Sequence, residues 1–127
     1  MARLIRLDTH AVVWLYTGEI DRFTPAGRSL LESEQLTVSP IVQLELTFLH
    51  ETGRLRVGGA DILGDLESRL RLFIVNEPLL AVVQAAASLD WTRDPFDRLI
   101  VGDAVAANSQ LLTKDDAIHA NLSLAVW

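Results

Sequence analysis

The 127-residue sequence contains no cysteine. That absence removes disulfides, thiolate zinc sites and cysteine nucleophiles together, and it is compatible with a reducing compartment. No stretch approaches the roughly 18 apolar residues of a membrane span. The opening MARLIRLD has too short an apolar run before Asp8 to serve as a signal peptide, so the expectation is a soluble, cytoplasmic protein with no membrane partner. Positive charge is scarce as well, with 11 Lys and Arg against 17 Asp and Glu and a net charge of −6. A chain that grips a polyanion with its own side chains shows the opposite balance. Nucleic-acid binding therefore requires that the acids be gathered in one pocket, where bound divalent cations present the positive charge. Repeats, low-complexity stretches and linkers are also missing. With 50% hydrophobic residues and a mean hydropathy of +0.26, a chain of this length buries a core without staples, and one domain spanning residues 1–127 is expected.

What is present is an alternation of short apolar runs and helical patterns. RLIRL (Arg3 to Leu7), LTVS (Leu36 to Ser39), LFIV (Leu72 to Val75), LLT (Leu111 to Thr113) and a last run near LAVW are strand candidates, with LFIV expected to be buried. Thr24-Pro25 and Ser39-Pro40 each pair an N-cap with proline at the first helical position. They open helices over about Pro25 to Glu34 and from Pro40 to a stop at Gly53. Further helices are expected over THAVVWLY, from Asp61 to about Leu70, from Asn76 to Leu89, from Asp94 to Ala107 and from Asp115 to Asn121. Strands alternating with helices indicate an α/β domain with a mainly parallel sheet.

In such sheets the functional pocket lies at the carboxyl ends of the strands. Asp8 follows the first strand, and Asp115 follows LLT with only Lys114 between; an N-cap role accounts for either one equally well. Glu45 has Ile41, Leu44, Phe48 and Leu49 as its helical neighbours, so its carboxylate falls within an apolar arc, where an unpaired charge is costly. A structural salt bridge, a metal or a catalytic pocket each resolves that cost. In DPFDRLI, Asp94 suits the N-cap and Pro95 the first helical position, while Asp97 shares a face with Ile100, Val101 and Ala104 that should pack inward. Asp8, Glu45, Asp97 and Asp115 then converge at one sheet edge. Two unit negative charges about 4 Å apart repel by about 4 kcal/mol at an effective dielectric of 20, which a hard divalent ion relieves. All-oxygen ligation points to Mg²⁺ or Mn²⁺. His10, His50 and His119 show no zinc-ligand spacing and read as surface or packing residues.

RLD with Thr9, SPIVQLEL, RDPFDRLI and LLTKD, in this order and across nearly the whole chain, resemble the PIN-domain ribonucleases, in particular VapC-type toxins of bacterial toxin–antitoxin pairs. The resemblance implies a PIN-like three-layer α/β/α sandwich, catalytic and metal-binding acids at Asp8, Glu45, Asp97 and Asp115, and Mg²⁺ or Mn²⁺ dependence. It also implies an RNA substrate cleaved by metal-assisted phosphodiester hydrolysis, a homodimer, and inhibition by a cognate antitoxin. Thr92 and Asp103 depart from the family pattern, where histidine and glutamine are common, and Asp103 is expected to add charge near the pocket. Asp116 adjoins Asp115, which is favoured for the metal because it is nearer the strand end. Thr9, Ser39 and Thr113 are candidates for orienting water or phosphate, and Arg93 and Arg98 for touching the RNA backbone; caps, strand-end hydrogen bonds and surface ion pairs explain them as well. Surplus apolar faces at Leu30, Leu31, Leu44, Phe48 and Leu49 suit a dimer contact, an antitoxin groove or internal packing.

Two other classes compete. A receiver-like phosphorylation domain needs adjacent acids after the first strand, where Asp8 is single, and a D-x-D phosphatase loop needs an acid at position 10, which is His10. A non-catalytic α/β binding module would use the acids only as caps and salt bridges.

Overall fold

Strand, capping side chain, helix: this order recurs along the chain and sets its architecture. A computed structural model describes residues 2–127. Strand β1 (Leu4–Leu7) is followed by Asp8, whose side chain accepts from Ala11 N and starts α1 (Thr9–Thr17). A 3₁₀ turn at Ile20–Arg22 leads to Thr24, which caps α2 (Pro25–Ser33). Strand β2 (Gln35–Val38) passes through the Ser39 cap into α3 (Pro40–Glu51), and α4 (Gly59–Leu70) precedes β3 (Phe73–Ile74). Then come α5 (Leu79–Ala87), α6 (Pro95–Ala107) with its Asp94 cap, β4 (Leu111–Leu112), α7 (Asp116–Asn121) with its Asp115 cap, and β5 (Ala125–Val126). Side-chain oxygens at these caps occupy helix N–H groups that have no intrahelical partner, and proline at the start of α2, α3 and α6 costs no hydrogen bond.

The five strands form one sheet in the order β3-β2-β1-β4-β5, with every pairing among the described residues parallel. Register is set by pairs such as Ile5 with Leu36 and Leu7 with Leu112. Parallel neighbours demand crossovers, and the right-handed rule puts the helices of the two outward-running halves on opposite faces. The result is the three-layer α/β/α sandwich. Leu7, Val38, Leu46, Leu66, Leu111 and Leu112 are fully buried at its centre, each contributing about 1.5–3 kcal/mol relative to an exposed side chain. Helices α5 and α6 approach so closely that a Cβ on Gly102 would lie 2.8 Å from Val82 O and 3.0 Å from Ala86 Cβ.

Three sequence expectations change. LFIV is not a buried strand: Phe73 and Ile74 are 42% and 41% exposed because β3 is the sheet edge, while only the flanking Leu72 and Val75 are buried. The helix expected from Asn76 begins at Leu79, since Pro78 disfavours helical backbone before it. The apolar arc around Glu45 is only partly inward, with Leu44 56% and Phe48 45% exposed and Leu49 buried; Leu30 and Leu31 pack against the core.

Asp103 is also corrected. It is buried in α6, accepts from Arg6 Nε at 2.6 Å, and does not line the cleft described below. The same guanidinium donates to Thr37 Oγ1 at 3.2 Å and Glu77 Oε1 at 3.0 Å. Burial pushes the Asp103 carboxyl up, and Arg6 pulls it back in part. A planar fork of donors reaches all three acceptors at once, tying β1 and β2 to α6 and to the segment before α5.

Candidate active-site cleft

The order β3-β2-β1-β4-β5 runs outward in both directions from the β1/β4 pair. Between those two strands the crossovers part to opposite faces, which leaves a crevice at the carboxyl ends. The backbone of Asp8 donates to Leu112 O at 3.1 Å, so the ends of β1 and β4 are locked together there. A cleft of about 540 Å³ opens at this point.

Asp8, Glu45, Asp97 and Asp115 all line it, as does Asp94. Asp8 is buried; one carboxylate oxygen accepts from Ala11 N at 2.9 Å and the other from Thr113 Oγ1. Burial raises its pKa, and those two hydrogen bonds oppose the rise. Glu45 reaches in from α3, half-buried, and accepts from Thr9 Oγ1; burial pushes it up against that bond. Asp97 sits in the first turn of α6, three residues after the Asp94 cap, above buried Ile100, Val101 and Ala104. Burial, followed by the charges of Asp94, Asp115, Glu45 and Asp8, pushes it up to about 7. Asp115 is exposed and caps α7 through Ile118 N at 2.9 Å. Asp116, one residue further on, does not line the cleft.

None of the four forms an ion pair among the described residues. The Glu45 carboxylate, for which a structural salt bridge was one reading, has a threonine partner instead. Several carboxylates share a small volume with no ion pair to neutralise them, a charge balance that a cation restores. Among the described residues, no three Asp, Glu or His side chains stand close enough to enclose an ion unaided. Mg²⁺ tolerates this, since it takes one or two carboxylates and keeps several waters. The residues therefore fit a hard divalent ion held from one side of an open cleft.

The other polar candidates separate. Thr9 and Thr113 hold Glu45 and Asp8, while Ser39 caps α3 through Ile41 N at 3.1 Å. Arg98 donates to Ala86 O and Ala87 O at 3.2 and 3.0 Å, so it fastens α6 to the end of α5; neither it nor Arg93 lines the cleft. His50 and His119 contact the carbonyls of Leu55 and Thr113. Four cleft residues escaped the sequence reading: His10, Trp14, Arg54 and Lys114. The first two are i, i+4 neighbours on α1, and Lys114 stands between two strand-end residues already singled out, so a helical-face argument would have found three of them. Arg54, in the connection from α3 to α4, carries no such signal.

In comparisons with known proteins, a model of the PIN domain matches residues 5–121. No curated protein matches the chain in sequence. Among solved structures it resembles VapBC2 from Rickettsia felis bound to a promoter DNA fragment, at 19% identity and a TM-score of 0.69 over 97% of this chain and 96% of that one. It also resembles a toxin–antitoxin complex from Klebsiella pneumoniae (14% identity, TM-score 0.62, covering 97% and 96%) and VapBC-1 from nontypeable Haemophilus influenzae (17%, 0.57, covering 98% and 96%). At these identities the likeness is one of fold. With the family match spanning nearly its whole length and the sheet order and cleft in agreement, the chain belongs to the PIN-domain family.

Proposed function

We propose that this PIN-domain chain is a Mg²⁺- or Mn²⁺-dependent endoribonuclease, the toxin of a type II toxin–antitoxin pair. The observation that carries the proposal is the convergence of Asp8, Glu45, Asp97 and Asp115 on one cleft, none of them in an ion pair among the described residues. Asp8, Asp97 and Asp115 hold the ion in this reading, in part through its waters. When bound, the ion supplies positive charge that activates water and stabilises charge on the phosphodiester oxygens. Glu45, raised by burial and oriented by Thr9, accepts the proton of the attacking water. Lys114 and Arg54 face the same cleft and bring the positive charge that the composition as a whole lacks.

The solved structures it resembles are toxin–antitoxin complexes, which supports an antitoxin as this chain's partner. No helix among the described residues is long and apolar enough to cross a membrane, and a cytoplasmic setting agrees with an RNA substrate. We assign residues 1–127 to one domain. A homodimer is supported by Leu79 and Leu80 on α5, which are 69% and 68% exposed, an exposure that association would relieve.

The deciding experiment is digestion of total cellular RNA by purified protein. Wild type is expected to cut in Mg²⁺ and not in chelator, and Asp97→Asn in neither. Equal cleavage by the variant, or cleavage in chelator, refutes the proposal. A capping-only reading draws on Asp8, Asp94 and Asp115 all being N-caps, and it predicts that Asp97→Asn leaves Mg²⁺ affinity unchanged.

A further inference from the structure

The catalytic acids occupy only part of the cleft. The rest of the wall includes His10, Trp14, Arg54 and Lys114. Trp14 is partly exposed on α1 and forms a T-shaped pair with Trp127, ring centroids 5.6 Å apart at 65°. Two cations lie over its ring: the Arg22 guanidinium is 5.0 Å from the ring centroid and the Lys114 ammonium 5.9 Å. The His10 ring stands 5.8 Å away, tilted by 41°. Aromatic faces interleaved with cations inside a groove are the arrangement by which proteins hold single-stranded nucleic acid, the bases stacking and the cations tracking the backbone.

We propose that Trp14 is the stacking shelf for one unpaired base of the substrate strand and that Lys114 is its phosphate contact. The inference rests on the ribonuclease reading above and names how that site selects its substrate. Lys114 is exposed and carries its charge on a flexible stem. An exposed cation–π contact is weaker than base stacking on an aromatic ring, so the ammonium yields the ring face to a base and moves to the adjoining phosphate. Trp14 stands six positions after Asp8, the N-cap of α1, about 9 Å along the helix axis at 1.5 Å per residue. The stacked base therefore flanks the nucleotide that is cut. A base locked in a duplex cannot reach the shelf, which restricts cleavage to loops, bulges and tails.

The test uses short single-stranded RNAs, each with one abasic position, and measures their binding in Mg²⁺ to Asp97→Asn protein, which holds them uncut. One abasic position is expected to weaken binding about 5- to 150-fold, the range of a lost base–aromatic stack. That penalty should vanish when Trp14→Leu is added and persist in part with Trp14→Phe. Trp14 also packs against Trp127, so thermal melts accompany each variant, and Lys114→Gln supplies a second arm in which the salt dependence of binding falls. An abasic penalty that is the same with Leu as with Trp at position 14, no penalty at any position, or no RNA binding overturns the proposal. Cleavage of total RNA by the parent protein is read in parallel. If RNA is cut but the penalty ignores Trp14, only the shelf fails. If the penalty maps to Trp14 but nothing is cut, only the nuclease reading fails.

Discussion

Asp97 makes the metal-free protein less stable than it would otherwise be, and the size of that effect is measurable. Its carboxyl titrates at about 7 in the fold, against an ordinary value of 3.8. The folded state therefore binds more protons than the unfolded chain between those values. Stability then falls as pH rises through this window, and the penalty is complete above about pH 7 and absent below pH 3.8. At 1.36 kcal/mol per unit the whole shift corresponds to ~4 kcal/mol. The side chain is half-open to the cleft, and solvent screening reduces this to ~1–2 kcal/mol. Asp97→Asn keeps the shape and removes the charge. In chelator the variant should unfold ~1–2 kcal/mol later than wild type at pH 8, or roughly 4–8 °C higher in Tm, with the difference closing towards pH 4. The assay is urea unfolding of both proteins across that pH range. Adding Mg²⁺ at about a hundred times its Kd should then stabilise wild type by ~2.7 kcal/mol and the variant by less. A variant that is less stable than wild type at pH 8, or a difference that does not change with pH, would refute the charge-crowding argument.

Asp115 combines a cap with a cleft carboxylate, and two substitutions separate these. Asp115→Asn should stay within ~0.5 kcal/mol of wild type by denaturant unfolding while weakening Mg²⁺ binding in calorimetry, whereas Asp115→Ala should also lose ~1 kcal/mol of stability. Arg6→Met strands the buried Asp103 carboxylate and should cost ~3–5 kcal/mol, a loss largely recovered by adding Asp103→Leu; equal destabilisation by the single and double changes would contradict the pairing. Gly102→Ala drives a Cβ into Val82 O and should cost ~1–3 kcal/mol in Tm-derived stability, with little change if α5 is free to move away.

The sequence alone determined the order of strands and helices, because apolar period and cap-plus-proline signals are local: Thr24-Pro25, Ser39-Pro40 and Asp94-Pro95 start helices where they were expected to. It also marked Asp8, Glu45, Asp97 and Asp115 as acids whose positions needed explaining. Tertiary structure decided everything that depends on what lies across the gap. Leu44 and Phe48 obey the same helical period as Leu49 yet face solvent, since the pattern says which residues share a side and not whether another element covers it. Asp103 and Asp97 are both acids on α6, six residues apart. One meets Arg6 from β1 and is silenced, while the other meets only further carboxylates. Long-range pairing sets that difference, and neither residue's own neighbours in the chain contain it.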